Sequence, residues 1–183
     1  MEVPWAEGEV FARSLGTPEQ NHGLFAGIVR EMRRAVYFVV AQPGTDDAQL
    51  GFAGHGSGAH AGGMFVGVEP RLHVVALVAG APGLTDVAVA NSPYPAGEAL
   101  EHSRCVTVPI DPTRFVAGRH RASGLLHFGE RDIISGTETA RRLADAASEP
   151  KQVRWHDRPP FPERGGEAIP GRVAARRARL GVP

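Results

Sequence analysis

Residues 51–63 read GFAGHGSGAHAGG, and few folds accommodate them. A short apolar run, LGFAG, ends in a sharp turn marked by Gly54 and Gly56, and the small residues SGAHAGGMFVG continue as a helix. Glycine suits a turn tip where a side chain would be strained, and small residues let a helix approach a sheet closely. The first unit is therefore a strand, a tight turn and a helix packed back on that strand.

The same pattern extends along the chain. Between Pro18 and Ala41, apolar residues recur at Leu24, Ile28, Met32, Ala35 and Val39, with Arg30, Arg33 and Arg34 between them. That spacing predicts an amphipathic helix, which Pro43 and Gly44 end. LHVVALVAGAP is a continuous β-branched run of the kind found in buried parallel strands. SGLLHFGERD predicts another strand ending in a polar turn, TETARRLADAA a helix, KQVRWHD a strand and RVAARRARL a terminal helix. Residues 1–17 follow neither period and read as an irregular arm. Residues 83–120, with prolines at 93, 95, 109 and 112, read as a long insertion with little regular pattern, placed where a lid or binding loop would sit. Strands alternating with helices call for parallel strands and crossover helices. The expected fold is a single α/β domain with a parallel sheet and helices on both faces.

Composition narrows the function. Twenty basic and twenty acidic residues cancel within the 183, so no net field recruits nucleic acid, a membrane surface or an acidic substrate. Arg172, Arg176, Arg177 and Arg179 form a basic stripe that reads as a solvated helix face. Cys105 is the sole cysteine, which excludes an internal disulfide framework and fits a reducing compartment. No apolar stretch approaches the ~20 residues of a membrane span, and the N-terminus lacks a leader pattern; a cytoplasmic protein is expected. No glycine-rich phosphate loop with a following lysine is present, and no histidine pair has ligand spacing. No cofactor and no metal are expected.

The stretch from Arg33 to Pro82, together with LLHFGERDIISGTETARRLADAA, resembles the α/β-hydrolases of the esterase and dienelactone-hydrolase kind, from about residue 19 to about residue 157. The resemblance implies a nucleophile elbow, G-x-S-x-G, after one strand, an acid after a later strand and a histidine after the last. Asp132 in FGERD fills the acid position. Gly56 stands where the nucleophilic serine belongs, and Ser57 follows it. After the last strand the family pattern D-x-G-H-F is matched by Asp157-Arg158-Pro159-Pro160-Phe161, so Pro160 takes the place of the histidine. His55 fills the slot before the nucleophile, which ordinarily packs beneath the elbow, and Asp111 fills a structural landmark. The resemblance also implies that the first strands are lacking, and with them a loop that supplies half of the oxyanion hole.

These readings predict a domain without serine-hydrolase activity. General-base assistance is worth typically 10²- to 10⁴-fold, and Pro160 offers none. Ser57, one position along, starts the helix, where its side chain turns by ~100° from the pocket axis; its backbone N–H remains available. Gly54, His55, Gly56 and Gly58 are the candidate binding turn, for a small apolar molecule bearing a carbonyl or carboxylate. Asp132 and Ser57 are the remnant catalytic residues. Two alternatives stand beside this: a lyase or cyclase aided by Asp132 or a histidine, and an ester hydrolase with Ser57 as a shifted nucleophile; His156 itself reads as an edge or surface residue. The strand at 49–54 would have one open side, which a homodimer or a heteromeric partner is expected to cover; the arm itself is a further option.

Overall fold

The computed structural model describes residues 16–80, 82–83, 97–118, 122–132 and 136–157. Trp5 and most of the arm, Pro160, the terminal helix over 172–180 and residues 84–96 of the insertion lie outside them.

Helix α1, Pro18–Val40, opens at a capping box in which the Thr17 hydroxyl accepts from Gln20 N–H and the Gln20 side chain accepts from Thr17 N–H. The paired caps satisfy two of the donors that a helix start leaves free. Strand β1, Leu50–His55, runs into α2, Ser57–Val68, and β2, Leu72–Val78, follows. Strand β3 is Ser123–Gly129, α5 is Thr137–Ala146 and β4 is Lys151–His156. The four strands pair in sequence order, all parallel. Parallel neighbours joined by helices are the architecture that the alternating pattern implies. Among the described residues β1 is an edge strand, so the side expected to be open is open.

The insertion departs from expectation. Its second half is helical: α3 is Glu98–Thr107, a single 3₁₀ turn covers Val108–Ile110, and α4 is Thr113–Val116. Glu98 and Glu101 near the positive end of α3 and Arg104 near its negative end favour the helix. The prolines that suggested irregular chain occupy positions where they cost nothing, Pro109 in the first turn of the 3₁₀ segment and Pro112 just before α4. Asp111 is structural, its carboxylate accepting from Thr113 N–H at 2.9 Å.

Helices α2 and α5 meet the same face of the sheet. Phe52 and Phe65 of α2 stack edge-on at 5.4 Å, and a Cβ on Gly62 would collide with the Phe52 ring, so the small residues of α2 do permit close approach. Further across, Phe128 packs on Trp155 at 5.1 Å, and the Arg141 guanidinium of α5 lies over that indole. Val75, Leu77, Leu126 and Leu143 complete this core, each burial contributing roughly 1.5–3 kcal/mol. The opposite face carries no described helix, and Val74 there is 54% exposed. The sequence predicts helices on both faces; among the described residues they pack on one.

One buried charge ties the layers together. Glu69, 1% exposed, takes Arg71 Nε and Nη2 on its two oxygens at 2.6 and 2.7 Å, and Arg33 of α1 approaches at 3.7 Å. Arg71 also stacks on Tyr37 at 4.2 Å. These guanidinium hydrogen bonds hold the Glu69 carboxyl below its ordinary range, against the opposing effect of burial. Glu69→Gln should lower stability by about 2 kcal/mol, because the half-exposed guanidinium groups left behind can rehydrate. A lowered folded-state pKa means that the wild-type advantage is present above the unfolded carboxylate range and fades as pH falls through the folded value. Urea unfolding from pH 3 to pH 7 should therefore show the gap between wild type and variant closing toward acid.

Candidate functional site

The candidate site lies at the carboxyl ends of the strands. At the end of β1 the backbone reverses at Gly56, with φ 55° and ψ −120°, and α2 begins at the next residue. An L-residue reaches such angles only under strain. Gly56 N–H donates to Val78 O at 2.9 Å, and Gly56 O accepts from the N–H groups of Ala59 and His60 at 3.0 Å each. The tip is thus tied to β2 on one side and to the first turn of α2 on the other. A Cβ at Gly56 would meet nothing within 4 Å, so the position of the absent side chain is open. Gly54 is the reverse case: a Cβ there would run into the Gly58 carbonyl, because strand and helix touch at that point.

Ser57 is the first residue of α2 and is exposed. Among the described residues none is hydrogen-bonded to its hydroxyl. The free N–H groups of the first helical turn, beginning at Ser57 and Gly58, point out of the helix end and carry its positive dipole. His55 is exposed rather than packed beneath the turn: strand alternation places it on the helix-free face of the sheet. His60 instead lies buried against Phe25, with ring centroids 4.6 Å apart.

Asp132 sits where the sequence placed the acid. It follows β3, is 7% exposed, and its turn is held by Asp132 N–H on Gly129 O at 3.3 Å and Gly136 N–H on Asp132 O at 3.1 Å. At the neighbouring strand end His156 does not meet Ser57. Its Nε2 lies 3.0 Å from Nδ1 of His127, and both rings are on the helix-free face. Burial, and then the positive charges of His156 and Arg154, push the His127 pKa below the ordinary histidine range. The two ring nitrogens are within hydrogen-bonding distance, and which of them donates depends on the tautomer. Two histidines 29 positions apart give no signal in sequence spacing; the β3–β4 register brings them together. Among the described residues no group of three or more His, Cys, Asp or Glu is arranged to hold a metal ion.

The fold has relatives of known structure. The chain superposes on acetyl xylan esterase 1 from Thermoanaerobacterium sp. JW/SL YS485 with a TM-score of 0.64 at 18% identity, over 75% of this chain and 48% of that one. Acetyl xylan esterase from Paenibacillus sp. R4 gives 0.61 at 18%, over 84% and 50%, and the α/β-hydrolase GrgF from Penicillium sp. sh18 gives 0.61 at 13%, over 85% and 70%. The chain has the α/β-hydrolase fold. It spans about half the length of the two xylan esterases. No family model and no curated protein sequence matches it. In α/β-hydrolases the nucleophile sits on a sharp strand-to-helix turn; the β1–α2 turn of this chain has that strand–turn–helix shape, with Gly56 at its tip.

Two glycine replacements separate the roles of the turn. Gly56→Ser should fold and lose about 1–2 kcal/mol, the cost of a side chain at a left-handed tip with room around it. Gly54→Ala should lose about 3 kcal/mol or more, because backbone would have to move. Chemical denaturation of both variants checks the order, and a larger loss at position 56 than at position 54 would contradict it.

Proposed function

We propose that this α/β-hydrolase-like domain performs no serine-hydrolase chemistry and acts as a small-molecule-binding or assembly module. One observation supports this above the others: Gly56 keeps the elbow backbone while bringing no hydroxyl to its tip. A hydroxyl without a base is a poor nucleophile at neutral pH, and the exposed Ser57 hydroxyl has no described imidazole beside it. What the turn does offer is a helix N-terminus, rimmed by Gly54, Gly56 and Gly58 and suited to a carbonyl or carboxylate oxygen of a small apolar molecule. The second role rests on β1. Among the described residues its outer edge pairs with no other strand, and the strand has no lysine or proline to discourage pairing, which fits a second copy or a separate polypeptide there. The single cysteine, Cys105, exposed and free, accords with a reducing, cytoplasmic setting, and no described helix is long and apolar enough to cross a membrane.

A second reading draws on the other strand ends. Asp132 and the His127–His156 pair lie at the same end of the sheet as the elbow, so a non-covalent lyase or cyclase reaction with acid–base help has groups to use. The two readings part on activity. With p-nitrophenyl acetate and butyrate, the protein should show no burst, and its slow background rate should be the same in wild type, Ser57→Ala and His156→Ala. A rate that falls 100-fold or more in Ser57→Ala would establish the shifted nucleophile. A rate that falls in His156→Ala alone would favour acid–base catalysis.

A further inference from the structure

The β3–β4 register brings two donor atoms together. His127 pairs with Arg154 and Gly129 with His156, so His127 and His156 are diagonal neighbours on the helix-free face. Their rings meet nitrogen to nitrogen, with His127 Nδ1 3.0 Å from His156 Nε2 and the centroids 5.0 Å apart. Nε2 of His127 is buried and has no hydrogen-bond partner among the described residues, so Nδ1 is the atom through which that ring meets an outside group. The backbone beneath is held in place: Glu130 N–H donates to His156 O at 2.8 Å, and Phe128 packs on Trp155 on the reverse face. Donors on paired strands keep their mutual geometry better than donors on loops.

The spacing is that of a chelate. An imidazole nitrogen sits about 2.0–2.1 Å from a bound metal ion, so two nitrogens on one ion are about 2.9 Å apart at a right angle and about 3.4 Å apart at the tetrahedral angle. The observed 3.0 Å matches the right angle, which tetragonal Cu²⁺ and Ni²⁺ favour over Zn²⁺. We propose that His127 Nδ1 and His156 Nε2 together bind one Cu²⁺ or Ni²⁺ ion on this face. Small rotations of the rings about their Cβ–Cγ bonds, a broad torsional well, aim both lone pairs at one point. Whichever ring donates in the metal-free pair shifts that proton to its other nitrogen when the ion binds, because ligating nitrogens must be bare. Among the described residues no third His, Cys, Asp or Glu completes the set, so the remaining positions go to water or to a nitrogen or oxygen donor of an incoming molecule. Two features hold the affinity down. Nothing described orients His127 through Nε2, and outer-shell support is typically worth 10–100-fold. Arg154, exposed and the register partner of His127, adds positive charge beside the ion. Spacing along the chain, which predicts no metal site, does not see a pair made by strand register. The site needs neither the elbow nor a ligand bound there.

Isothermal titration of the full chain without an affinity tag, using NiCl₂, CuCl₂ and ZnCl₂, tests it. One Ni²⁺ should bind per chain, more tightly than Zn²⁺. His127→Ala and His156→Ala should each weaken Ni²⁺ roughly tenfold or more, and the double variant little further, since a chelate is lost with either arm. Arg154→Gln should tighten binding about threefold, and His102→Ala, at an exposed position elsewhere, should leave it unchanged. Circular dichroism and urea midpoints show that each variant folds; should His127→Ala unfold, the exposed His156→Ala and the electron paramagnetic resonance spectrum of bound Cu²⁺ carry the test. That spectrum should show coupling to two imidazole nitrogens in wild type and to one in His156→Ala. Absence of Ni²⁺ and Cu²⁺ binding, tighter binding of Zn²⁺, or Ni²⁺ binding that a folded His156→Ala leaves within about twofold of wild type would each overturn the proposal.

Discussion

The contact of Gly54 with the Gly58 carbonyl is the constraint from which the site follows. It lets the first turn of α2 lie directly against the end of β1, which a side chain at position 54 would prevent. With strand and helix so close, the single residue between them must reverse the chain, and Gly56 does so in the left-handed region, anchored to Val78 O. In a hydrolase that strain is borne to thrust an oxygen into the pocket. Glycine adopts these angles without strain, and the result is a well-supported turn at a helix N-terminus.

The remainder of the domain supports that turn from one side. Helices α2 and α5 pack on one face of a four-stranded parallel sheet, and Glu69 with its guanidinium partners holds α1 against the far end of α2. Two surfaces stay uncovered among the described residues: the backbone edge of β1 and the face bearing Val74. Among the described residues the edge offers strand backbone, and the face offers mainly small and apolar side chains toward its middle.

Much of this was legible in the residues. The β-branched run at 72–78, the period of α1 and the placement of Asp132 follow from local chemistry, which sequence displays directly. What sequence concealed depends on partners distant in the chain. His127 and His156 are neighbours only because β3 and β4 pair in one register; a slip by one residue would turn one ring to the other face. His55, expected beneath the elbow, is exposed because the face it joins carries no described helix. Helix α3 was hidden by the prolines near it, whose tolerated positions at helix starts become evident only once the turns are seen.

The central claim is that the elbow survives without a nucleophile. Intact-mass spectrometry after incubation with a fluorophosphonate measures this most directly. The account predicts an unmodified mass under conditions that fully label a control serine hydrolase. A stoichiometric adduct mapping to Ser57 and absent from Ser57→Ala would contradict it.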